Sequence, residues 1–404
     1  MTDVLKPRDA KDVEDAVRWA VCDGKALEVV GQGSKRALGR PSQTDLTLDL
    51  SGLTGVTLYE PAELVLSAKA GTPLAEIQAL LAQNTQQLGF EPMDYGPLLG
   101  REAGQGTLGG VIAANLSGPR RIKAGAARDH FLGVSAVTGR AETIKSGGRV
   151  VKNVTGYDLC KLFAGSWGTL GVMTDVTIKV LPAPETEATV LVEGLDDERA
   201  CAAMAAAMGS SCDVSGAAHL PDHVASYFAG LPKPEAATVL RIEGHAPSVA
   251  HRKEALARLM RGFGPVEVLD EGNSRALWCS VREVRPFAAE GARERPLWRI
   301  SVPPARGHEI AAAITPAAAM FYDWAGGLIW LAMPFADEPG AAAIREAVGA
   351  SGGHATLVRA PAALRAATEV FEPEPAGVAA LARRVKESFD PKGVLNPGRL
   401  WAGV

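Results

Sequence analysis

Residues 104–180 place the tightest limit on what this chain can become. They read GQGTLGGVIAANLSGP, then KNVTGYDLCKLFAGSWGTLG, and close on VMTDVTIKV. Thr107 and Leu108 precede the pair Gly109 and Gly110. Further on, Gly165, Ser166, Gly168, Thr169, Leu170, Gly171 and Val172 surround Trp167. Glycine, lacking a Cβ, lets backbone approach a ligand closely, and consecutive free N–H groups form an anion-binding nest. Two such loops so close in sequence point to a large, phosphate-bearing ligand. A dinucleotide cofactor is the first expectation.

A third glycine turn lies upstream. A short strand at 26–30 runs into Gly31, Gln32, Gly33, Ser34 and Lys35, which tempts a Rossmann assignment. The fingerprint fails because Arg36 stands where the third glycine belongs and the following residues are loop. The turn can still hold a phosphate by its backbone.

Composition narrows the class. At 404 residues, with 47% hydrophobic and 22% charged content, the chain has room for two or three domains of an ordinary globular protein. A formal net charge of −4 gives no reason to expect nucleic acid as a partner. The start lacks a signal peptide's apolar core, and the strongly apolar run near 328–333 is too short to span a bilayer. Five scattered cysteines with no CxxC pair argue against a metal site held by this chain and for a reducing, cytoplasmic setting.

Apolar spacing organises the rest. Asp9 caps a helix whose Val13, Val17 and Ala20 share a face, and Thr72 is expected to cap another that opens on Pro73. Strands are expected at 46–50, 56–59, 64–70, 134–137, 142–144 and 172–180, with Thr107 capping a short helix whose N-terminal N–H groups are free for a ligand. Pro182 and Pro184 mark a boundary. Beyond it, β-α-β-β-α-β is expected over 297–358, with an imperfect copy before it, the two making one antiparallel sheet with helices on one face. The final segment, a helix at 376–389 and then DPKGVLNPGR, reads as a fixed position rather than a fraying end.

Taken together, TLGG…AAN…SG, KNVTGYDLCKL, GSWGTLGV and FDPKGVLNPGR resemble the FAD-binding fold of the vanillyl-alcohol oxidase/p-cresol methylhydroxylase (PCMH) type, and within it the E subunits of bacterial glycolate oxidases. The resemblance implies an α+β protein. A two-subdomain PCMH-type FAD-binding domain at 1–182 would be followed by a ferredoxin-like α+β cap with an antiparallel sheet at 183–375, and by a C-terminal helix and tail at 376–404. FAD would be bound non-covalently. Residues 31–35 and the Thr107, Leu108, Gly109 and Gly110 loop would hold its pyrophosphate, with Asn115 and Ser117 nearby. The segment from Gly165 to Val172 would lie along the cofactor, and Asn396 would reach the flavin from the tail.

The function implied is that of an FAD-binding subunit of a glycolate oxidase complex. It would take part in oxidising glycolate, a small 2-hydroxy acid, beside a homologous catalytic flavoprotein subunit and an iron–sulfur subunit. Association with a membrane would come through that complex. A self-sufficient FAD-dependent 2-hydroxy acid dehydrogenase and a non-catalytic scaffold are the alternatives. Residues 277–283, LWCSVRE, resemble a Trp–Arg carboxylate clamp with one extra residue of spacing, so Arg282 is either that clamp or an ion pair with Glu283. His354 is the best remaining candidate for a base, with a structural hydrogen-bonding role as its alternative. The metal-binding histidine motif of the catalytic relatives is absent, and no metal is expected.

Overall fold

The computed structural model describes residues 3–150, 156–292, 294–314, 317–334, 338–349 and 351–402. Residues 152–155 of the KNVTGYDLCKL motif lie outside them. The chain divides into two compact units, one of Met1–Ser117, Ala126–Pro182 and Glu369–Val404, the other of Gly118–Gly125 and Ala183–Thr368.

The first unit holds two main sheets beside a short pairing of Gln86–Gln87 with Leu181–Pro182. Asp3–Leu5, Leu46–Asp49 and Leu27–Val30 form a parallel three-stranded sheet in that order. The helix Ala10–Asp23 packs on it, started by the Asp9 carboxylate accepting from the Asp12 N–H and ended by Gly24 in the left-handed region. Its Val13 and Val17 share a core with Leu48 and with Val394 and Leu395 of the tail. The second sheet is antiparallel and five-stranded, in the order Val56–Glu60, Val65–Lys69, Gly171–Lys179, Phe131–Thr138, Thr143–Gly147. These are the strands that alternation in the sequence announces. One expectation fails locally. The helix Leu74–Ala82 takes Pro73 as its N-cap, with no side-chain cap, because the Thr72 hydroxyl is turned to the carbonyls of Lys69 and Gly55.

The second unit carries one continuous antiparallel sheet of eight strands. Its order is Val266–Leu269, Thr186–Glu193, Ala237–Gly244, Gly216–Leu220, Ala319–Asp323, Leu328–Ala332, Leu297–Ser301, His354–Arg359. Each half has the spatial order fourth, first, third, second along its own stretch of chain. The sheet is therefore two ferredoxin-like β-α-β-β-α-β copies joined edge to edge. The helices Asp197–Met208 and Ala246–Met260 complete the first copy, and Gly307–Ala313 and Ala341–Gly349 the second. Gly216–Leu220 is the strand that sequence reading passes over, since GAAHL has no β-branched residue to announce it.

Candidate FAD-binding site

The first unit contains a cleft shared by its glycine turns and the C-terminal tail. One wall is the turn of Gly31, Gln32, Gly33, Ser34 and Lys35, which leaves the strand Leu27–Val30. Among the described residues, no acceptor in the fold takes the backbone N–H groups of these five. Gly33, at φ 73°, turns the chain so that they form a nest. The Lys35 ammonium lies in the same place and donates to the Ser34 hydroxyl at 3.2 Å. Burial pushes the Lys35 pKa down to about 8, with Asp94 opposing and Arg399 reinforcing the shift. A cation held so reluctantly in charged form favours an anion beside it.

The opposite wall is Thr107, Gly109, Gly110 and Ala113. Thr107 caps the helix Leu108–Ala113 as expected, its hydroxyl accepting from the Gly110 N–H at 3.2 Å. The donors expected here for a pyrophosphate are not free, however. The Leu108 N–H goes to the Thr72 carbonyl at 3.0 Å and the Gly109 N–H to the Ala70 carbonyl at 2.8 Å. The glycines instead permit close packing. A Cβ on Gly31 would sit 2.5 Å from the Thr107 hydroxyl, and one on Gly110 would lie 3.3 Å from the Lys35 ammonium. The untaken backbone donors of the first turn lie beside the Lys35 ammonium in this cleft.

Of the remaining candidates, Gly168, Gly171 and Asn396 line the cleft, and Leu108, Asn115, Ser117, Gly165, Ser166, Thr169, Leu170 and Val172 stand behind it. Local bonding explains this. The Asn115 amide oxygen accepts from the Arg128 N–H, and the Ser117 hydroxyl from the Ala127 N–H. The Ser166 and Thr169 hydroxyls donate to the carbonyls of Phe163 and Ser166, and the Gly165 N–H goes to the Ile112 carbonyl. The side chains of Leu108, Leu170 and Val172 are core. Asn396 is buried, its Oδ1 accepting from the Val29 N–H and its Nδ2 donating to the Trp167 carbonyl, both at 2.8 Å. It fastens the tail across the cleft as well as facing it.

Sequence reasoning does not single out four contributors. Val29, Trp167 and Met173 add apolar surface to the lining. Arg399 donates to the carbonyls of Lys35 at 2.8 Å and Arg36 at 3.2 Å, fixing the turn from the far end of the chain. Arg36 itself is held by Glu28. Only the terminal NPGR segment offered a signal for Arg399.

The two catalytic candidates lie in the second unit. Arg282 ends the helix Glu271–Arg282 and donates to the Glu283 carboxylate at 2.7 Å, the ion-pair alternative of its reading. His354 opens the strand His354–Arg359. Desolvation lowers its pKa, and Arg299 and Arg121 lower it further. Among the described residues, no group of three or more His, Cys, Asp or Glu side chains is placed to hold a metal ion.

Comparison with known proteins gives the family. The FAD binding domain family matches residues 2–147, and the C-terminal domain of FAD linked oxidases matches 369–400. Glycolate oxidase subunit GlcE of Escherichia coli is 33% identical over 389 residues, 96% of either chain. The chain belongs to the family of glycolate oxidase subunit GlcE, among the FAD-linked oxidases. Its cofactor is FAD, and it is an FAD-linked oxidoreductase with the PCMH-type fold. Glycolate oxidase subunit GlcD of Bacillus subtilis is 28% identical over 46% of this chain and 38% of its own length. In fold, 4-ethylphenol oxidase from Gulosibacter chungangensis aligns with a TM-score of 0.71 at 15% identity, covering 98% of this chain and 89% of that one. The cleft fits the cofactor, offering a nest and a cation for its pyrophosphate and apolar walls for its length.

Proposed function

We propose that this chain is the FAD-binding subunit of a glycolate oxidase complex, holding FAD non-covalently and taking part in oxidation of glycolate to glyoxylate. The observation that carries the reading is the run of free N–H groups at residues 31–35 with the Lys35 ammonium among them. In this assignment the turn and Lys35 hold the pyrophosphate, Arg399 keeps the turn in shape, and Val29, Trp167 and Met173 exclude water along the cofactor. Bound flavin supplies acceptance of a hydride from the carbon bearing the substrate's hydroxyl. Non-covalent binding is supported by the cleft lining, which among the described residues includes no Cys or His.

Likeness to GlcE and GlcD supports a complex with a homologous catalytic flavoprotein subunit. An iron–sulfur subunit is the further partner we assign, as the route by which electrons leave. Among the described residues no helix is long and apolar enough to cross a membrane. The reading therefore puts the chain in the cytoplasm and any membrane contact on its partners.

Purification and acid precipitation test the cofactor assignment. A yellow protein that releases FAD into the supernatant is expected, whereas a colourless chain whose added FAD shows no spectral change overturns it. Anaerobic mixing of the loaded chain with glycolate then separates the subunit reading from a self-sufficient dehydrogenase. Unbleached flavin is expected for the subunit alone, with bleaching restored by the partner subunits.

A further inference from the structure

Outside the FAD cleft, the second unit concentrates cationic groups around one tryptophan. The Arg121 guanidinium lies 4.3 Å and the Arg299 guanidinium 4.8 Å from the centre of the Trp324 ring. The ring cannot drift, because its indole N–H donates to the Gly118 carbonyl at 3.0 Å and its backbone N–H to the Asp323 carboxylate at 2.7 Å. Trp324 at φ 52° and Ala325 at φ 59° are both left-handed, followed by Gly326 at φ 93°. Two non-glycine residues in that region store backbone strain, which clusters where a side chain must be aimed.

At the edge of the sheet beside this ring, two strands alternate between buried and partly exposed residues. Along Leu297–Ser301, Trp298 and Ile300 are fully buried while Arg299 and Ser301 are half-buried. Along His354–Arg359, Ala355 and Leu357 are fully buried while His354 is exposed and Thr356 half-buried. The register sets Arg299 opposite Thr356 and Ser301 opposite His354. Residues directly opposite one another share a face, so one face of this edge pair gathers a guanidinium, an imidazole and two hydroxyls, bordered by the buried Trp330 and Leu328 of the next strand. Arg121 adds a second guanidinium through the shared ring.

We infer that Arg121 and Arg299, stacked on Trp324, form with His354 a binding site for a small carboxylate. Guanidinium forks match a carboxylate with paired N–H donors, and stacking on one ring fixes the orientation of both. His354 then completes recognition of a 2-hydroxy acid. Desolvation, then Arg299 and Arg121, lower its pKa and so favour the neutral ring, in which one nitrogen accepts from a hydroxyl on the adjacent carbon. The carboxylate role that the LWCSVRE segment suggested for Arg282 passes to these two arginines. That the carboxylate is a 2-hydroxy acid rests on the function proposed above; the site itself does not.

Calorimetric titration of the FAD-loaded full chain with oxalate tests the site, since oxalate carries the carboxylate and no oxidisable hydroxyl. Binding that weakens at least tenfold in both R121M and R299M, less in R121K and R299K, and not in the surface variant R306M is expected. Wild-type protein that binds no oxalate at millimolar concentration overturns the site. So does either methionine variant binding within twofold of wild type while its far-UV circular dichroism is unchanged. Flavin content is read on the same samples. A chain that takes up no FAD yet binds oxalate through Arg121 and Arg299 sustains this site while sinking the function proposed above.

Discussion

Lys35 is the side chain on which the cofactor assignment turns, and its titration gives the assignment a direction in pH. Its pKa falls from the ordinary 10.5 to about 8, chiefly through burial. The folded chain therefore releases this proton before the unfolded chain does. Below pH 8 both states hold the proton and the penalty on folding is full. Through the window from 8 to 10.5 the unfolded state binds more protons, so stability of the FAD-free chain rises with pH there. A pyrophosphate beside the ammonium reverses this preference, because it favours the charged form. Binding of FAD should accordingly weaken as pH climbs past 8 and take up protons as it does so. Loss of a charge-assisted contact of about 1.5–3 kcal/mol corresponds to weakening by roughly tenfold or more. Fluorescence titration of FAD against Lys35→Met should thus give a weaker affinity with a flatter pH profile. A variant that binds as tightly as wild type at pH 7, with the same profile, removes Lys35 from the site. Gly31→Ala tests the turn's shape instead. Its Cβ would lie 2.5 Å from the Thr107 hydroxyl, so turn and helix cap must separate, and FAD content after purification should drop sharply. Unchanged content would mean that the turn tolerates the displacement.

At the scale of elements, the C-terminal helix Ala376–Phe389 and the residues after it are held by one buried knot. Lys386 donates to the Thr169 carbonyl at 2.7 Å, to the Leu395 carbonyl at 3.0 Å and to the Asp390 carboxylate at 2.6 Å. Asp390 in turn accepts from the N–H groups of Val394 at 3.0 Å and Leu395 at 2.8 Å. Removing one partner leaves the other charge buried, at a cost of about 3–5 kcal/mol, while removing both costs less than the sum. Lys386→Met and Asp390→Asn should each lower the thermal midpoint more than half as far as the double variant does. Strictly additive shifts would mean that the pair acts as two independent groups. The knot also shows what the sequence could disclose. DPKGVLNPGR announced a fixed end, because turn residues and a single amide flanked by proline leave little freedom. Where the lysine eleven residues before the final turn residue Pro397 would point could not be read, since Thr169 is remote in sequence. The same limit explains Thr107. Its capping role was legible from Thr-Leu-Gly-Gly, but capture of the Leu108 and Gly109 N–H groups by Thr72 and Ala70 is a long-range event. Strands built from alternating Val, Ile and Leu were legible, whereas Gly216–Leu220 forms only because its neighbours supply the ladder.

For the molecule as a whole, the sheet of the second unit raises the question of what keeps two ferredoxin-like copies together. Their joining edge, Gly216–Leu220 against Ala319–Asp323, is registered by one pair, His219 opposite Tyr322. Every other neighbouring pair of strands in that sheet has at least four registered positions. Side chains reinforce the short edge. Tyr322 donates its hydroxyl to Asp197 Oδ2 at 2.7 Å, and His219 Nε2 stands 3.3 Å from Asp197 Oδ1 while its Nδ1 meets Thr238. Burial first, then Asp197, pushes the Tyr322 pKa up, so the phenol stays the donor throughout the accessible pH range. Asp197 belongs to the helix Asp197–Met208 of the first copy, so this bond ties one copy's helix to the other copy's strand. Tyr322→Phe leaves the packing and removes the tie, a loss of about 0.5–1.5 kcal/mol plus the desolvation of an unpaired carboxylate oxygen. Amide hydrogen exchange should then accelerate several-fold in Gly216–Leu220 and Ala319–Asp323, with Phe131–Thr138 of the first unit unaffected. Equal acceleration across all eight strands would show a sheet that opens as one body, and protection unchanged at the joining edge would assign its strength to the backbone pair alone.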